Sequence, residues 1–341
     1  MGTMRVYFCL SNMCVPLILT LIEKEGSEFT VVTNQENLKN LFSNLYDKEN
    51  VVYIEPFEAM RFWEKALFLP RWFRYKYRVL NRLQFIQKSS IYFFFVAFGL
   101  YESWLIRKLS ERNDIIYSPI INVSHWSKLS GLKVSIKVLY IRLIYGITVS
   151  PKLLGEASYW TISPLFLNVI NAKVIKLEAD LKIVTALVKN KFNFGPGEIL
   201  YATGGVIEEK HVAVDEFIIK TDAVLSFLAR FNILLKSHPR FPMLTETENT
   251  LPQVPSYIPG NLLLCNFKVI VGYASALIFE AANYGCTAIS LLDYFKENSS
   301  AQKESFKSYL EENLHSNKRI YYPKDPSELQ AIIFSVLKQN E

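Results

Sequence analysis

The sequence predicts an α/β protein of two Rossmann-like domains, each built on a doubly wound, mostly parallel sheet. Three observations predict it. Short apolar, β-branched runs alternate with longer segments of helical period, which is the pattern of βαβ units. The chain has 341 residues, more than one hydrophobic core ordinarily serves. The pattern also breaks at Phe192-Asn193-Phe194-Gly195-Pro196-Gly197 and then starts again. Two glycines and a proline in three positions mark a linker there. The expected domains are 1–190 and 198–341.

In the first domain, Val6–Leu10 reads as a strand, Ser11-Asn12 as a polar turn, and the chain from about Pro16 as a buried helix. Glu28–Thr33 and Val51–Ile54 read as strands on either side of a helix over Glu36–Asn44. Ser90–Val96 is rich in aromatic and β-branched residues and reads as a strand. A helix over Tyr101–Ser110, an apolar strand over Asp114–Val123 and a helical spacing over Ser130–Tyr145 follow. In the second domain, Glu198–Ala202 is a fresh first strand ending in Thr203-Gly204-Gly205. A helix over Asp215–Phe231, a strand over Asn232–Lys236, a short strand over Pro255–Ile258 and a short helix over Asn261–Asn266 come next. Lys268–Gly272, Cys286–Leu291 and Arg319–Tyr322 read as strands, with helices over Ser275–Asn283 and Ser327–Gln339.

Val6–Ile22 is apolar enough to mimic a signal peptide or a span. Ser11-Asn12 and Pro16 interrupt it, and it falls short of the about 20 residues a span needs. Cys9, Cys14, Cys265 and Cys286 form no CxxC pair. Reduced, buried thiols are expected, with no disulfide framework and no metal site. The fingerprints G-x-G-x-x-G and G-x-x-x-x-G-K-[ST] do not occur, so the usual dinucleotide and ATP signatures are missing.

The net charge of +6 is uneven. Arg61, Lys65, Arg71, Arg74, Lys76, Arg78, Arg82 and Lys88 stand against a single acid, Glu64, and aromatic residues are interleaved among them. A solvated amphipathic helix with an aromatic core face would give this pattern, and so would an anionic membrane surface. Aromatic rings beside Arg and Lys suit the headgroup region. Nucleic acid is not expected, because no DNA- or RNA-binding motif accompanies the patch. The expected location is cytoplasmic and peripheral, at the inner face of the membrane.

The chemistry concentrates in the second domain. The apolar run before Lys236-Ser237-His238-Pro239-Arg240 places an imidazole at the carboxyl end of a strand, where α/β sheets bind ligands. Pro239 biases His238 toward an extended backbone. Lys236 and Arg240 flank it, so the expected ligand is an anion, most simply a phosphate. An imidazole beside a phosphate can donate a proton to a leaving group. Downstream, the strand over Val269–Val271 runs into Gly272, which permits close backbone approach. Ser275 is a good N-cap and could complete an anion seat with the first helical turn. Each also has a plainer reading: His238 as a strand-end histidine, Ser275 as an ordinary cap. Glu280 could face a ligand ribose or the solvent.

Two α/β domains facing across a cleft describe a GT-B type glycosyltransferase, although other two-domain nucleotide enzymes share that pattern. Leu234–Arg240, followed by Val269–Leu277 with Ser275, resembles the His-Pro motif and downstream Ser/Thr motif of bacterial sialyltransferases. The nearest groups are lipooligosaccharide sialyltransferases and capsular polysialyltransferases, glycosyltransferase families 52 and 38. The resemblance covers about Glu198–Leu292. It implies CMP-sialic acid as donor, no cofactor, no metal, inversion at the anomeric centre, and a glycan acceptor in a capsule, lipopolysaccharide or lipooligosaccharide. By the same resemblance His238 would contact the CMP phosphate and assist its departure, Ser275 would bind that phosphate, and Thr203 and Gly204 would lie near the donor.

The family's acidic Asp/Glu-Asp/Glu-Gly motif should fall near Tyr117–Ser124, yet Ile115–Gly155 contains no Asp or Glu. Three explanations stand. His125 could serve as base, although a histidine in a polar turn beside Trp126 is the plainer reading. A carboxylate could reach in from Glu102, Asp114 or Glu156. Or the domain no longer catalyses the transfer, leaving a glycan- or nucleotide-binding member. A transferase using another activated sugar is a further alternative.

Overall fold

The computed structural model describes residues 4–26, 28–56, 68–94, 100–118, 171–192, 197–204, 212–238, 245–296 and 300–337. The chain divides into two compact units, Met1–Ala179 and Asp180–Glu341. Each is an α/β unit on a wholly parallel sheet.

The first sheet comprises β1 (Arg5–Phe8), β2 (Phe29–Thr33), β3 (Val51–Tyr53), β4 (Ser90–Phe93), β5 (Asp114–Tyr117) and β6 (Lys173–Val174), in the order β3-β2-β1-β4-β5-β6. This is the doubly wound order in which the winding reverses beside the first strand. The apolar N-terminal run resolves as strand, turn and helix. Ser11 Oγ accepts from the Met13 N–H at 3.3 Å, and a 3-10 turn over Asn12–Cys14 leads into helix α1 (Val15–Glu25). Pro16 sits in its first turn, where a missing N–H costs nothing. Gly26 ends it at φ 55°, a left-handed conformation that glycine adopts without penalty.

Helix α2 spans Glu36–Leu45, α3 spans Phe68–Arg82 and α4 spans Leu100–Ser110. Trp72, Tyr75 and Val79, spaced i, i+3 and i+7 along α3, are buried in one core with Val6, Phe8, Ile91, Phe93 and Trp104. The Trp72 and Trp104 rings meet edge-on, 5.5 Å between centroids. The Tyr75 hydroxyl donates to the Glu55 carbonyl at 2.6 Å. One face of the basic aromatic segment is therefore core.

The second sheet comprises β7 (Ile199–Ala202), β8 (Ile233–Lys236), β9 (Val269–Gly272), β10 (Thr287–Ser290) and β11 (Ile320–Tyr321), in the order β11-β10-β9-β7-β8. From β7 the chain steps to one side for β8 and then to the other for β9, so the winding reverses between β7 and β9. The helices are α5 (Leu181–Lys191), α6 (Val214–Leu228), α7 (Glu246–Thr250), α8 (Ala276–Tyr284), α9 (Ser300–Glu312) and α10 (Pro326–Leu337). Strands β7 and β9 are buried throughout, which is why they read as unbroken apolar runs rather than alternating ones.

Two local expectations change. Pro255–Ile258 is a turn closed by the Ile258 N–H on the Pro255 carbonyl at 3.1 Å. The strand-like pairing falls just before it, where Gln253 bridges Leu235 in parallel. Asn261–Asn266 is not one helix but two 3-10 turns, Gly260–Leu262 and Leu264–Asn266. Helix α5 belongs to the second compact unit, packs on those two turns and buries Val184 and Val188. The Ser130–Tyr145 segment lies outside the described residues.

Candidate functional site

The carboxyl ends of β8, β7 and β9 lie side by side. Ala202 is level with Lys236 on one side and with Gly272 on the other. The next residues, Thr203, Ser237 and Tyr273, therefore leave the sheet together at the point where the winding reverses. Thr203 joins β7 to β8 twice. Its N–H donates to the Lys236 carbonyl at 3.1 Å, and its Oγ1 accepts from the His238 N–H at 2.8 Å. The second bond continues the parallel ladder through a side chain, fixing the backbone of His238 one step beyond the strand. His238 itself is partly exposed.

Lys236 ends β8 with its side chain buried. Its ammonium donates to the carbonyls of Ser237 at 2.8 Å and Ser256 at 3.2 Å. Burial pulls its pKa down to about 8, since desolvation disfavours the charged form. Two of its three donors thus brace the His238 loop against the Ser256 turn, and the charge stays beneath that loop.

On the other side of β7, Gly272 gives the sheet a tight crossing. A Cβ there would meet the Ala202 carbonyl oxygen at 3.1 Å and Ile278 Cδ1 at 3.2 Å. The loop beyond is held by Ser290 Oγ, which donates to the Tyr273 carbonyl at 2.6 Å. Ser275 has extended backbone and caps α8, its Oγ accepting from the Leu277 N–H at 3.3 Å. The positive end of the α8 dipole therefore rises beside the Thr203–His238 pair. Gly285 closes the helix at φ 89°.

Glu280, on the flank of α8, does not face open solvent. Asn261 hydrogen-bonds its carboxyl, and burial pushes its pKa up to about 8. Sequence reasoning missed Ser290, Ser256 and Asn261 as positioning groups. Ser290, a hydroxyl closing an apolar strand, was the one signal available. The other two act through contacts distant in sequence.

Thr203, Gly204, Lys236, His238, Gly272 and Ser275 are thus drawn from three strand ends into one neighbourhood of the second unit. Pro239 and Arg240 lie outside the described residues, as do the two base candidates His125 and Glu156. Asp114 is the first residue of β5, at the sheet's amino edge and away from the end where such sheets bind ligands.

The carboxyl end of the first sheet holds a small apolar pocket lined by Phe8, Leu10, Thr33, Asn34, Ile54, Phe93 and Leu105. Asn34 Oδ1 is buried there without a hydrogen-bond partner among the described residues. Nearby, Cys9 and Cys14 are buried free thiols with their sulfurs 3.5 Å apart. Burial raises the pKa of Cys9 well above its ordinary value. Among the described residues no three His, Cys, Asp or Glu side chains group to hold a metal ion. No described helix is long and apolar enough to cross a membrane.

No protein-family model matches the chain, and no curated protein matches it in sequence. Solved structures align along its length at low identity. Escherichia coli heptosyltransferase WaaC with ADP is 12% identical, covers 99% of this chain and 100% of its own, and has a TM-score of 0.45. Methanocaldococcus jannaschii UDP-GlcNAc 2-epimerase with UDP-GlcNAc and UDP is 12% identical, with coverages of 98% and 93% and a TM-score of 0.46. The glycosyltransferase SnogD from Streptomyces nogalater is 13% identical, with coverages of 98% and 100% and a TM-score of 0.40.

Proposed function

We propose that this chain is a glycosyltransferase of the two-domain GT-B type. Its donor is a nucleotide-activated sugar, and the donor phosphate sits at the carboxyl ends of β7, β8 and β9. The observation that supports this best is the convergence of Thr203, His238 and the Ser275-capped helix at the winding reversal of a parallel sheet. There the dipole of α8 and the buried Lys236 ammonium favour an anion. The chemistry needed is departure of a nucleotide phosphate from a sugar carbon. An imidazolium at His238 hydrogen-bonds that phosphate and can hand it a proton as the bond breaks.

The specific reading is sialyl transfer from CMP-sialic acid to a bacterial surface glycan, inverting and without a metal. His125 and Glu156 are the candidates for the base that takes the acceptor hydroxyl proton. The test is CMP release from CMP-sialic acid with galactose-terminated acceptors, comparing the wild-type chain with His238→Ala. A loss of about 10²-fold or more is expected of a lost general acid. Equal activity in the variant removes His238 from the mechanism.

The missing acidic residues between Ile115 and Gly155 favour a second reading, a non-catalytic member that binds the nucleotide or glycan. CMP binding without turnover across a broad acceptor panel is its signature. A thermal-shift panel of CMP-, UDP-, GDP- and dTDP-linked compounds identifies the nucleotide under either reading, because a ligand bound only to the native state raises the melting temperature.

A further inference from the structure

Helix α3 presents three stripes. Trp72, Tyr75 and Val79 form the stripe buried in the first unit's core. Phe73, Tyr77 and Leu80, at i, i+4 and i+7, form a second stripe that faces outward, exposed to 60%, 68% and 37% respectively. Arg71, Arg74 and Arg78, at i, i+3 and i+7, form a third exposed stripe beside it. With successive residues about 100° apart, the outward apolar stripe has Lys76 on one flank and the arginines on the other.

The Lys76 ammonium lies over the Phe73 ring at 4.3 Å and over Trp72 at 5.2 Å, so the cation sits where core face and outer face meet. Just past the helix, Phe85 and Lys88 are also exposed. From Phe68 to Phe94 there is no acidic residue. Of the three arginines, Arg78 has an acidic partner, Glu55 at 3.5 Å.

A surface helix needs one apolar face to join its domain. This helix has that face and carries a second, which the core does not use. We propose that the outer face of α3 docks on an anionic phospholipid bilayer, with the helix lying in the membrane plane. Phe73, Tyr77 and Leu80 enter the interface while Arg71, Arg74 and Arg78 meet lipid phosphates. Charge complementarity selects this occupant: a basic stripe, on a segment with no acid of its own from Phe68 to Phe94, runs parallel to an exposed aromatic and aliphatic one. Leu80 fits lipid rather than nucleic acid, since bases stack on aromatic and guanidinium planes and gain little from an isobutyl group.

The test is flotation of the full chain with phosphatidylcholine vesicles, with and without phosphatidylglycerol. Flotation is expected only with phosphatidylglycerol, and it weakens as salt is raised. Arg71→Gln with Arg74→Gln should lower binding by about tenfold or more, and Phe73→Ser with Tyr77→Ser by a similar factor. All four side chains point outward, so melting temperatures should stay at the wild-type value, and a variant that melts early is replaced by Phe73→Gln with Tyr77→Gln. No flotation, equal flotation on both vesicle types, or unchanged binding by the folded double variants overturns the proposal. Retention on single-stranded RNA without vesicle binding also overturns it, in favour of a nucleic-acid partner.

Discussion

The His238 N–H donates to the Oγ1 of Thr203 across the ends of two parallel strands, at 2.8 Å. A main-chain bond of the sheet is thus carried by a side chain at the point where the chain leaves it. Thr203→Val keeps the shape and leaves that N–H without its acceptor, so about 1–3 kcal/mol of stability should be lost. Thr203→Ser should stay near wild type. Urea unfolding of the three proteins checks this. If the Val variant unfolds at the wild-type midpoint, the bond does not position His238.

Gly272 and Ser275 make separable contributions. Gly272→Ala forces a methyl between the Ala202 carbonyl and Ile278 and should cost about 1–3 kcal/mol. Ser275→Ala removes the cap of α8 and should cost about 1 kcal/mol. Both should lower the denaturant midpoint and leave its slope unchanged. A Gly272→Ala protein as stable as wild type would mean that this crossing is looser than its distances indicate.

Glu280 predicts a pH dependence of stability. Burial raises its carboxyl to about 8 in the folded chain, against about 4.3 in a free chain. Its contribution is fully present below about pH 4.3 and is lost as pH rises toward 8, because the folded state then holds a proton that the unfolded state has released. Relative to Glu280→Gln, the wild type should lose on the order of 1–3 kcal/mol between pH 5 and 8. Parallel melting curves for the two proteins across that range would remove the buried acid from the account.

Lys236 gives the opposite slope higher up. Its pKa falls to about 8 on burial, so between about pH 8 and 10 the unfolded chain binds more protons and folding becomes more favourable as pH rises. Compared with Lys236→Met, the wild type should gain on the order of 1–3 kcal/mol across that window. Denaturation at several alkaline pH values measures it, and a flat difference between the two proteins refutes it.

Ten of the eleven strands of the described residues were legible, because most are buried on both faces and therefore spelled in unbroken apolar letters, as Val269-Ile270-Val271 shows; β6, with both residues exposed, has no such run to read. Helix α9 was not legible, because Leu310 is its one buried residue and a nearly all-polar segment has no apolar period to read. Helix α5 hides similarly behind Val184 and Val188, although Asp180, whose carboxylate accepts from the Ile183 N–H, is a cap visible in the sequence. Of the site, the residue types at the three strand ends could be read, since turn chemistry is local. What Lys236 and Glu280 face could not, because Ser256 and Asn261 reach them only through tertiary folding. The acceptor-side base candidates His125 and Glu156 fall outside the described residues.

Strand β8, which delivers His238, is the last strand on its side of the sheet. An open edge invites another chain to add a strand. Here Leu235 spends its outward N–H on the Pro252 carbonyl and its outward carbonyl on the Val254 N–H, both at 2.9 Å. Pro252 and Pro255, on either side of that short contact, have no N–H with which to extend it. The edge is therefore sealed after one step, and the strand that carries the proposed phosphate contact is also the one guarded against self-association. Substitutions meant to loosen the Pro252–Pro255 segment and open the site should be expected to reduce solubility before they alter turnover.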